Sequence, residues 1–397
     1  MRKLFLVITS LALTVSVTGC SKGAGDSAKS DATSADSETI VSQQSKYPVL
    51  KPVDGPYGIT FENIVSKFND ISAAAWLDAQ ATIKRNQNLP SASKDLYTYI
   101  SPEALKVDPR IGEVVNLLKR DFSLFARFPS YPKVYFVALT TAEREVTQKK
   151  LLTTYGDVSF INRSIDAMYG INSNSPEGSV FSAPQCTGSY SGRNTFTGTA
   201  AAVIVGVCPA IDDRDVHFDG VHAMAHEYIH MVQSAFMPGG DYGRAAPCWM
   251  VEGESEWGQA AVSESFSDYL KAQNFTPYRL TQDGLNYEDT TARKWTSAEV
   301  IKYLSDATDP KTCYDTNLYA YSYSLGAATT EALVSIGGSE SIFALHQRFM
   351  DRMPYDQAFK EVYGITWAEA VPILAEVVAK KITLSWLPDA RTYQTKP

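Results

Sequence analysis

Residues 222–236 read HAMAHEYIHMVQSAF, and their histidines are the most unusual feature of this sequence. The chain has five histidines, and three of them, His222, His226 and His230, lie in this stretch at intervals of four. Residues four apart share one face of an α-helix, so two of these imidazoles could reach a single metal ion. Apolar side chains fill many of the positions between them, as expected for a buried helix. The stretch therefore predicts a buried helix that carries either a metal site or histidines with a structural role.

The residues from His226 to His230 form the pattern H-E-x-x-H. On a helix, this pattern supplies two histidines that bind zinc and a glutamate, here Glu227, that can face the zinc-bound water as general base. We expect the helix to extend from about Val221 to Met237. The pattern is short and also occurs by chance, so a helix with structural histidines is the alternative at this point.

A carboxylate that could complete the site lies 22 residues after His230, in the block WMVEGESE at 249–256. The metzincin class is excluded, because Gln233 and Phe236 occupy the positions where that class has glycine and histidine. H-E-x-x-H followed by W-x-x-E-G resembles the gluzincin zinc metallopeptidases, the broad thermolysin-like group, and in particular their bacterial members. The resemblance covers roughly residues 109–350 as an order of elements, and about thirty residues as a sharp motif.

This resemblance implies a site of two histidines and one glutamate with one zinc ion per chain. Its ligands would be His226, His230 and Glu252, and Glu227 would be the general base. Glu256, one helical turn after Glu252, matches the position at which the family often has a carboxylate that accepts the second N–H of a histidine ligand. The family commonly has aspartate there, so a solvated helix charge is the alternative for Glu256.

The sequence YSLG at 323–326 has the form Y-x-x-G and is predicted to begin a helix after the site. In related aminopeptidase-like gluzincins, a tyrosine in such a block donates a hydrogen bond to the tetrahedral oxyanion. Tyr323 is the candidate for this catalytic role, and Tyr321 and Tyr319 are its rivals. The alternative for each of them is a tyrosine of the core or the surface.

The remaining histidines are not expected to bind the metal. His222 shares the helix face of His226, but Glu252 already supplies a third ligand. We therefore expect His222 to contact substrate or to point into solvent. His217 and His346 give no functional signal.

Residues 1–19 have the composition of an export signal, with a short basic start and a long apolar run. The run ends in VTGC, which resembles a bacterial lipobox and implies that Cys20 is lipidated and anchors the protein to the outer face of a bacterial membrane. An ordinary secretory signal is the alternative, and both predict export. Residues 20–47 are small and polar and predict a flexible tether.

The net charge of −8 and the lack of a basic block argue against a nucleic acid as partner. Four cysteines follow Cys20, and an even number in an exported chain predicts two disulfides. Sequence alone permits three pairings, of which the nearest-neighbour one, Cys186–Cys208 and Cys248–Cys313, is our choice.

The order of predicted elements indicates an α+β fold, in which a small β-sheet lobe packs against a helical lobe, with a metallopeptidase-like active-site cleft between them. We expect an N-terminal helical region at 48–130, a β-containing lobe with the H-E-x-x-H helix at 131–237, and a helical C-terminal lobe with the third zinc ligand at 238–397. The other expected elements are strands at 132–140 and 199–207, a long loop or ragged hairpin at 170–199, and helices at 57–88, 109–128, 141–156, 318–338, 339–351 and 366–381.

These features predict a membrane-anchored extracytoplasmic zinc metallopeptidase, in which a zinc-activated water attacks a peptide bond of a peptide or protein substrate. The chain lacks a G-x-M-E-N block, with which related enzymes grip a substrate amino terminus, and this favours an endopeptidase. One alternative is a zinc-binding or metal-free envelope lipoprotein with a scaffold or binding role. Hydrolysis of a non-peptide amide at the same metal site is another.

Overall fold

The computed structural model describes residues 56–171, 190–207, 221–236, 246–273, 295–309 and 318–385. The predicted signal peptide, the tether and Cys20 lie outside the described residues. So do His217 and three of the four cysteines expected to pair, while Cys248 is fully buried. The lipid anchor and the disulfide pairing therefore stay predictions.

Helices predominate among the described elements, and the strands lie in the first half of the chain. In chain order the elements are α1 (Ile71–Asn86), β1 (Asp95–Ile100), α2 (Pro102–Val107), α3 (Val114–Leu124), β2 (Lys133–Thr140), α4 (Arg144–Tyr155), α5 (Ser159–Met168), β3 (Tyr190–Phe196), β4 (Ala200–Val207), α6 (Ala223–Phe236), α7 (Cys248–Ala261), α8 (Phe266–Ala272), α9 (Ser297–Asp306), α10 (Leu318–Tyr321), a π-helical segment (Ser322–Gly326), α11 (Ala327–Gly337), α12 (Ser339–Met350), α13 (Tyr355–Tyr363) and α14 (Trp367–Ser385). Short 3₁₀ turns lie at Pro56–Gly58, Phe68–Asp70, Pro90–Ala92 and Pro109–Glu113.

The described strands form one mixed sheet in the order β1-β2-β4-β3. β1, β2 and β4 are parallel, and β3 is antiparallel to β4. β4 is buried on both faces and β2 is buried after its first residue, as their nearly continuous apolar sequences require. The predictions of strands at 132–140 and 199–207 are confirmed. A small sheet combined with many helices agrees with the expected α+β class.

One strand was not expected from the sequence, and another lies where a loop or a hairpin was predicted. β1 lies in the region for which only helices are predicted, and β3 lies in the predicted long loop or ragged hairpin at 170–199, where it agrees with the hairpin. β1 is only half-buried along its length, so it lacks the apolar run that marks its central neighbours. β3 pairs with β4 in a hairpin and lies at the edge of the sheet.

The first predicted helix, at 57–88, begins later than expected. The apolar spacing that suggested a helix from residue 57 is real, because Phe61, Ile64 and Phe68 are all buried. However, the Asn63 side chain accepts a hydrogen bond from the Thr60 N–H and donates to a backbone carbonyl. Such local hydrogen bonds compete with helical ones, and the segment forms turns before α1 starts.

Helix α4 also begins later than the predicted start at residue 141. Before its first turn, the Glu143 carboxylate turns back and accepts hydrogen bonds from the backbone N–H and the hydroxyl of Thr140. Gly156 ends the helix with a φ of 79°, a conformation that glycine adopts without strain.

Helix α7 is the most deeply buried element near the predicted metal site, since every one of its residues is buried. α6 packs against it on one side, and α6 also contacts β3 and β4 of the sheet. Residues of the sheet, of α3, α6 and α7 share one hydrophobic cluster. The predicted ligands are thus carried by two helices in the middle of the protein.

No single helix among the described residues is both long and apolar enough to cross a membrane. The pair Tyr355–Tyr363 and Trp367–Leu384 passes the same criteria when taken together, but it is bent by 71°.

Candidate metal centre

The three predicted ligands meet between helices α6 and α7. Nε2 of His226 and Nε2 of His230 lie 2.9 Å apart. Oε2 of Glu252 lies 3.2 Å from Nε2 of His226 and 3.4 Å from Nε2 of His230. Neighbouring donor atoms of a tetrahedral zinc site lie about 3.3 Å apart when each bond is about 2.0–2.1 Å. The three residues therefore form a group that could hold a metal ion, although its geometry is not specific to zinc.

The charges of these residues are strongly coupled. Burial lowers the pKa of His230, but the carboxylates of Glu252 and Glu227 and the hydrogen bonds of the ring together outweigh burial and raise this pKa to about 9. Burial likewise opposes the charge of Glu252, yet His230 and His226 hold the pKa of its carboxyl well below the usual range. The site is therefore built to balance a buried carboxylate with positive charge, which a bound cation would also provide.

The second nitrogen of His226 faces the carboxylate of Glu256. Nδ1 of His226 lies 3.4 Å from Oε1 of Glu256, and the other oxygen of Glu256 accepts a hydrogen bond of 2.8 Å from Gln259. Glu256 is only 3% exposed, so the alternative of a solvated helix charge is wrong. The position agrees with the predicted contact to a histidine ligand, and this role stays a prediction.

Glu227, the predicted general base, is buried and is contacted by strand β3. Its Oε2 accepts a hydrogen bond of 2.6 Å from Nδ2 of Asn194. A Cβ atom at Gly192 would lie 3.0 Å from Oε1 of Glu227, so the glycine leaves room for the carboxylate. Asn194 was not singled out from the sequence, because no local pattern marks it as a contact of Glu227.

Tyr323 lies next to the predicted ligand His226. Its ring is parallel to that of His226, with 6.0 Å between ring centroids and 7° between planes. The ring of Tyr321 instead packs edge-on against Trp295 and Tyr303 in the helical core. The side chain of Tyr319 lies outside what the structure describes.

Tyr323 belongs to the π-helical segment that interrupts the predicted helix at 318–338. Such segments are often found at functional sites, because the wider turn redirects a side chain. Gly326 of this segment touches Gly253 of α7: a Cβ at Gly253 would lie 2.3 Å from the carbonyl carbon of Gly326. The glycines of W-x-x-E-G and Y-x-x-G are therefore in contact. This contact brings the segments that carry Glu252 and Tyr323 close together.

The two histidines near the centre that are not predicted ligands are both buried. Nε2 of His222 lies 3.0 Å from the Ser263 hydroxyl, so the expectation that His222 points into solvent is wrong. Nε2 of His346 lies 2.7 Å from Oε2 of Glu254, and neither residue was singled out from the sequence. Their contact joins positions 92 residues apart, which no local pattern reveals.

Comparison of the chain with protein-family models, with curated proteins and with solved structures finds no match. The resemblance to gluzincin metallopeptidases therefore rests on the motif residues and on the geometry of His226, His230 and Glu252.

Proposed function

We propose that this protein is a zinc-dependent metallopeptidase. The observation that carries the proposal is the convergence of His226, His230 and Glu252, with Glu227 directly beside them on α6. Two imidazole nitrogens and one carboxylate are the protein ligands of several catalytic zinc sites, in which a fourth position is open. A purely structural metal site would not need the adjacent acid Glu227.

The chain's own residues can perform the acid–base steps of peptide hydrolysis. A zinc ion held by the three ligands would supply Lewis acidity, which activates water and polarises a carbonyl group. Glu227 would accept a proton from the attacking water and pass it to the leaving amine. Its hydrogen bond from Asn194 fixes the orientation of the carboxylate for this task. The hydroxyl of Tyr323 would donate a hydrogen bond to the oxyanion.

Strand β3 supports a peptide as the substrate. Within the described residues, β3 pairs with β4 on one side, and its other side forms the edge of the sheet. Gly192 and Asn194 of the same strand contact Glu227. An extended peptide that added to this edge as a further strand would pass close to the general base.

The proposal is tested by zinc content and peptide cleavage measured on the same preparations. We expect about one zinc per chain in the wild type and in Glu227→Gln, and little in Glu252→Ala. Cleavage of a peptide library should fall by about 10²–10⁴-fold in Glu227→Gln, since a general base contributes that much. Glu103→Gln, at an exposed glutamate of α2, is the control that should keep both properties.

Zinc binding without any cleavage would favour the alternative, a metal-binding envelope lipoprotein with a scaffold or binding role. A wild-type protein that cannot be loaded with zinc would refute the proposal.

We further propose that the enzyme is exported and anchored by a lipid on Cys20. The expected result is that Cys20→Ala moves the protein from the detergent phase to the aqueous phase in a partition assay. Incorporation of a labelled fatty acid should be lost at the same time. Continued labelling of the variant would refute the lipobox interpretation.

A further inference from the structure

Gln233 lies one helical turn after the predicted ligand His230 on α6 and is fully buried. Its Oε1 is 2.9 Å from Nδ1 of His230, the nitrogen that faces away from the metal centre. A buried amide of this kind has one acceptor end and one donor end, and its orientation decides which of them the histidine meets.

The orientation of this amide is fixed from its other end. Nε2 of Gln233 lies 3.0 Å from the backbone carbonyl oxygen of Val251 and 3.0 Å from Oε2 of Glu254. A carbonyl oxygen can only accept a hydrogen bond, so the donor end of the amide must point toward Val251. The acceptor end therefore faces His230, and Nδ1 of His230 must carry the hydrogen.

Ser255 leads to the same assignment. Its hydroxyl donates to the carbonyl oxygen of Val251 over 3.1 Å, which uses its single hydrogen. Oγ of Ser255 lies 3.2 Å from Nδ1 of His230 and can then only accept. Two side chains that are both directed by one carbonyl group thus present acceptors to the same nitrogen.

We propose that Gln233 is a positioning residue that holds His230 in the Nδ1–H tautomer, so that Nε2 presents its lone pair to a zinc ion. The inference rests on the proposed function, because it assigns the support of one of its ligands. A metal-bound histidine commonly donates its second N–H to a fixed acceptor, which sets both the tautomer and the ring orientation.

Glu254 and His346 complete the support. Oε2 of Glu254 accepts from Gln233 and lies 2.7 Å from Nε2 of His346, which comes from α12. Glu254 and His346 are each 1% exposed, so the chain from His230 to His346 runs through the interior. This chain connects the metal centre with α12, an element that contributes no ligand.

The test compares zinc affinity in Gln233→Met and Gln273→Met, using full-length protein and competition with a chelator. Gln273 is a matched control, because it is also a buried glutamine whose Nε2 donates to a buried glutamate, Glu331, away from the site. We expect both variants to lose thermal stability. Only Gln233→Met should weaken zinc binding, by about 10–100-fold.

Equal zinc affinity in the wild type and in a folded Gln233→Met would overturn the inference and leave the proposed function standing. A wild type that binds no zinc would overturn both. If Gln233→Met does not fold, a measurement on the wild type alone tests the inference.

In the zinc-loaded wild type with ¹⁵N-labelled histidine, His230 should show a slowly exchanging proton on Nδ1 and coordination through Nε2. Coordination through Nδ1, or rapid exchange of its proton, would refute the assignment.

Discussion

Asp121 on α3 is a fully buried carboxylate, and neither of its oxygens has a hydrogen-bond partner among the described residues. Burial raises the pKa of this carboxyl well above its ordinary value, and the nearby charge of Arg120 only partly opposes the effect. Because the pKa of Asp121 is higher in the folded protein, the protonated carboxyl contributes to the free energy of unfolding. This contribution is fully present below about pH 3.9 and is lost as the pH rises toward the pKa of the folded state. The group therefore destabilises the protein at neutral pH.

Replacing Asp121 with asparagine should remove this pH-dependent loss. We expect the free energy of unfolding of Asp121→Asn, relative to the wild type, to increase with pH by up to about 1.4 kcal/mol per pH unit above pH 4. Urea denaturation of both proteins at several pH values between 4 and 8 measures this difference in the free energy of unfolding. Ser123→Ala, at a buried residue of the same helix that carries no charge, should give a difference that does not change with pH. A flat difference for Asp121→Asn would contradict the prediction.

The residues of the metal centre differ in how far the sequence could reveal them. His226 and His230 are predicted to share a helix face, and Glu252 is found by its spacing and by the family resemblance. Gln233 drew attention only because it departs from the metzincin pattern. Its contact with Glu254 depends on how α6 and α7 pack, and packing between helices has no short-range signature in one sequence.

At the level of elements, the close contact between α7 and the π-helical segment is the feature most sensitive to substitution. A Cβ at Gly326 would lie 2.4 Å from the carbonyl oxygen of Trp249, a backbone atom that cannot rotate away. We therefore expect Gly326→Ala to lower the free energy of unfolding by about 1–3 kcal/mol or more. Zinc affinity should fall with it, because Trp249 lies one turn before Glu252. Thermal unfolding and chelator competition measure the two effects.

Gly258→Ala on the same helix provides the comparison. The new methyl group would also meet an atom at 2.3 Å, but this atom is the end of the flexible Ile229 side chain, which can move. The loss of stability should accordingly be smaller than for Gly326→Ala. The interpretation of the glycine contact fails if both variants lose the same amount.

The strands and helices were predictable from the sequence where burial of apolar side chains alone determines the pattern. β2 and β4 are apolar almost throughout because both faces are buried, and their bounds follow from that pattern. β1 was missed because it is half-buried and begins with Asp95, which leaves little alternation to read. The late start of α1 depends on the side chain of Asn63, a local contact that overrides the apolar spacing.

For the whole molecule, a buried cluster of polar side chains joins the first and last described helices. Lys381 of α14 forms an ion pair with Glu331 of α11 and donates a hydrogen bond of 2.9 Å to Ser72 of α1. Tyr269 and Gln273, from α8 and the residue that follows it, donate to the same glutamate. Burial lowers the pKa of Lys381, and the charge of Glu331 opposes this change. The charges of Lys381 and Glu331 therefore balance each other within the core, away from water.

Removing one partner of this pair should cost much more than removing both. Lys381→Met leaves the Glu331 charge uncompensated, and we expect a loss of about 3–5 kcal/mol in the free energy of unfolding. Adding Glu331→Gln should recover a large part of this loss, because neither charge of the pair then remains. Chemical denaturation of the two single variants and the double variant measures the coupling. If the double variant loses the sum of the two single losses in the free energy of unfolding, the predicted coupling is wrong.

The contact between Ser72 and Lys381 also bears on the order in which the chain can fold. These residues are 309 positions apart, and the parallel strands β1, β2 and β4 likewise join distant segments. Closing such long loops costs entropy before any contact compensates for it, so topologies of this kind fold slowly. Until α14 has been synthesised, Glu331 has no cation and α1 lacks one of its partners. We therefore expect the N-terminal half to stay accessible to proteases during synthesis, and to become protected only once the last helix has docked.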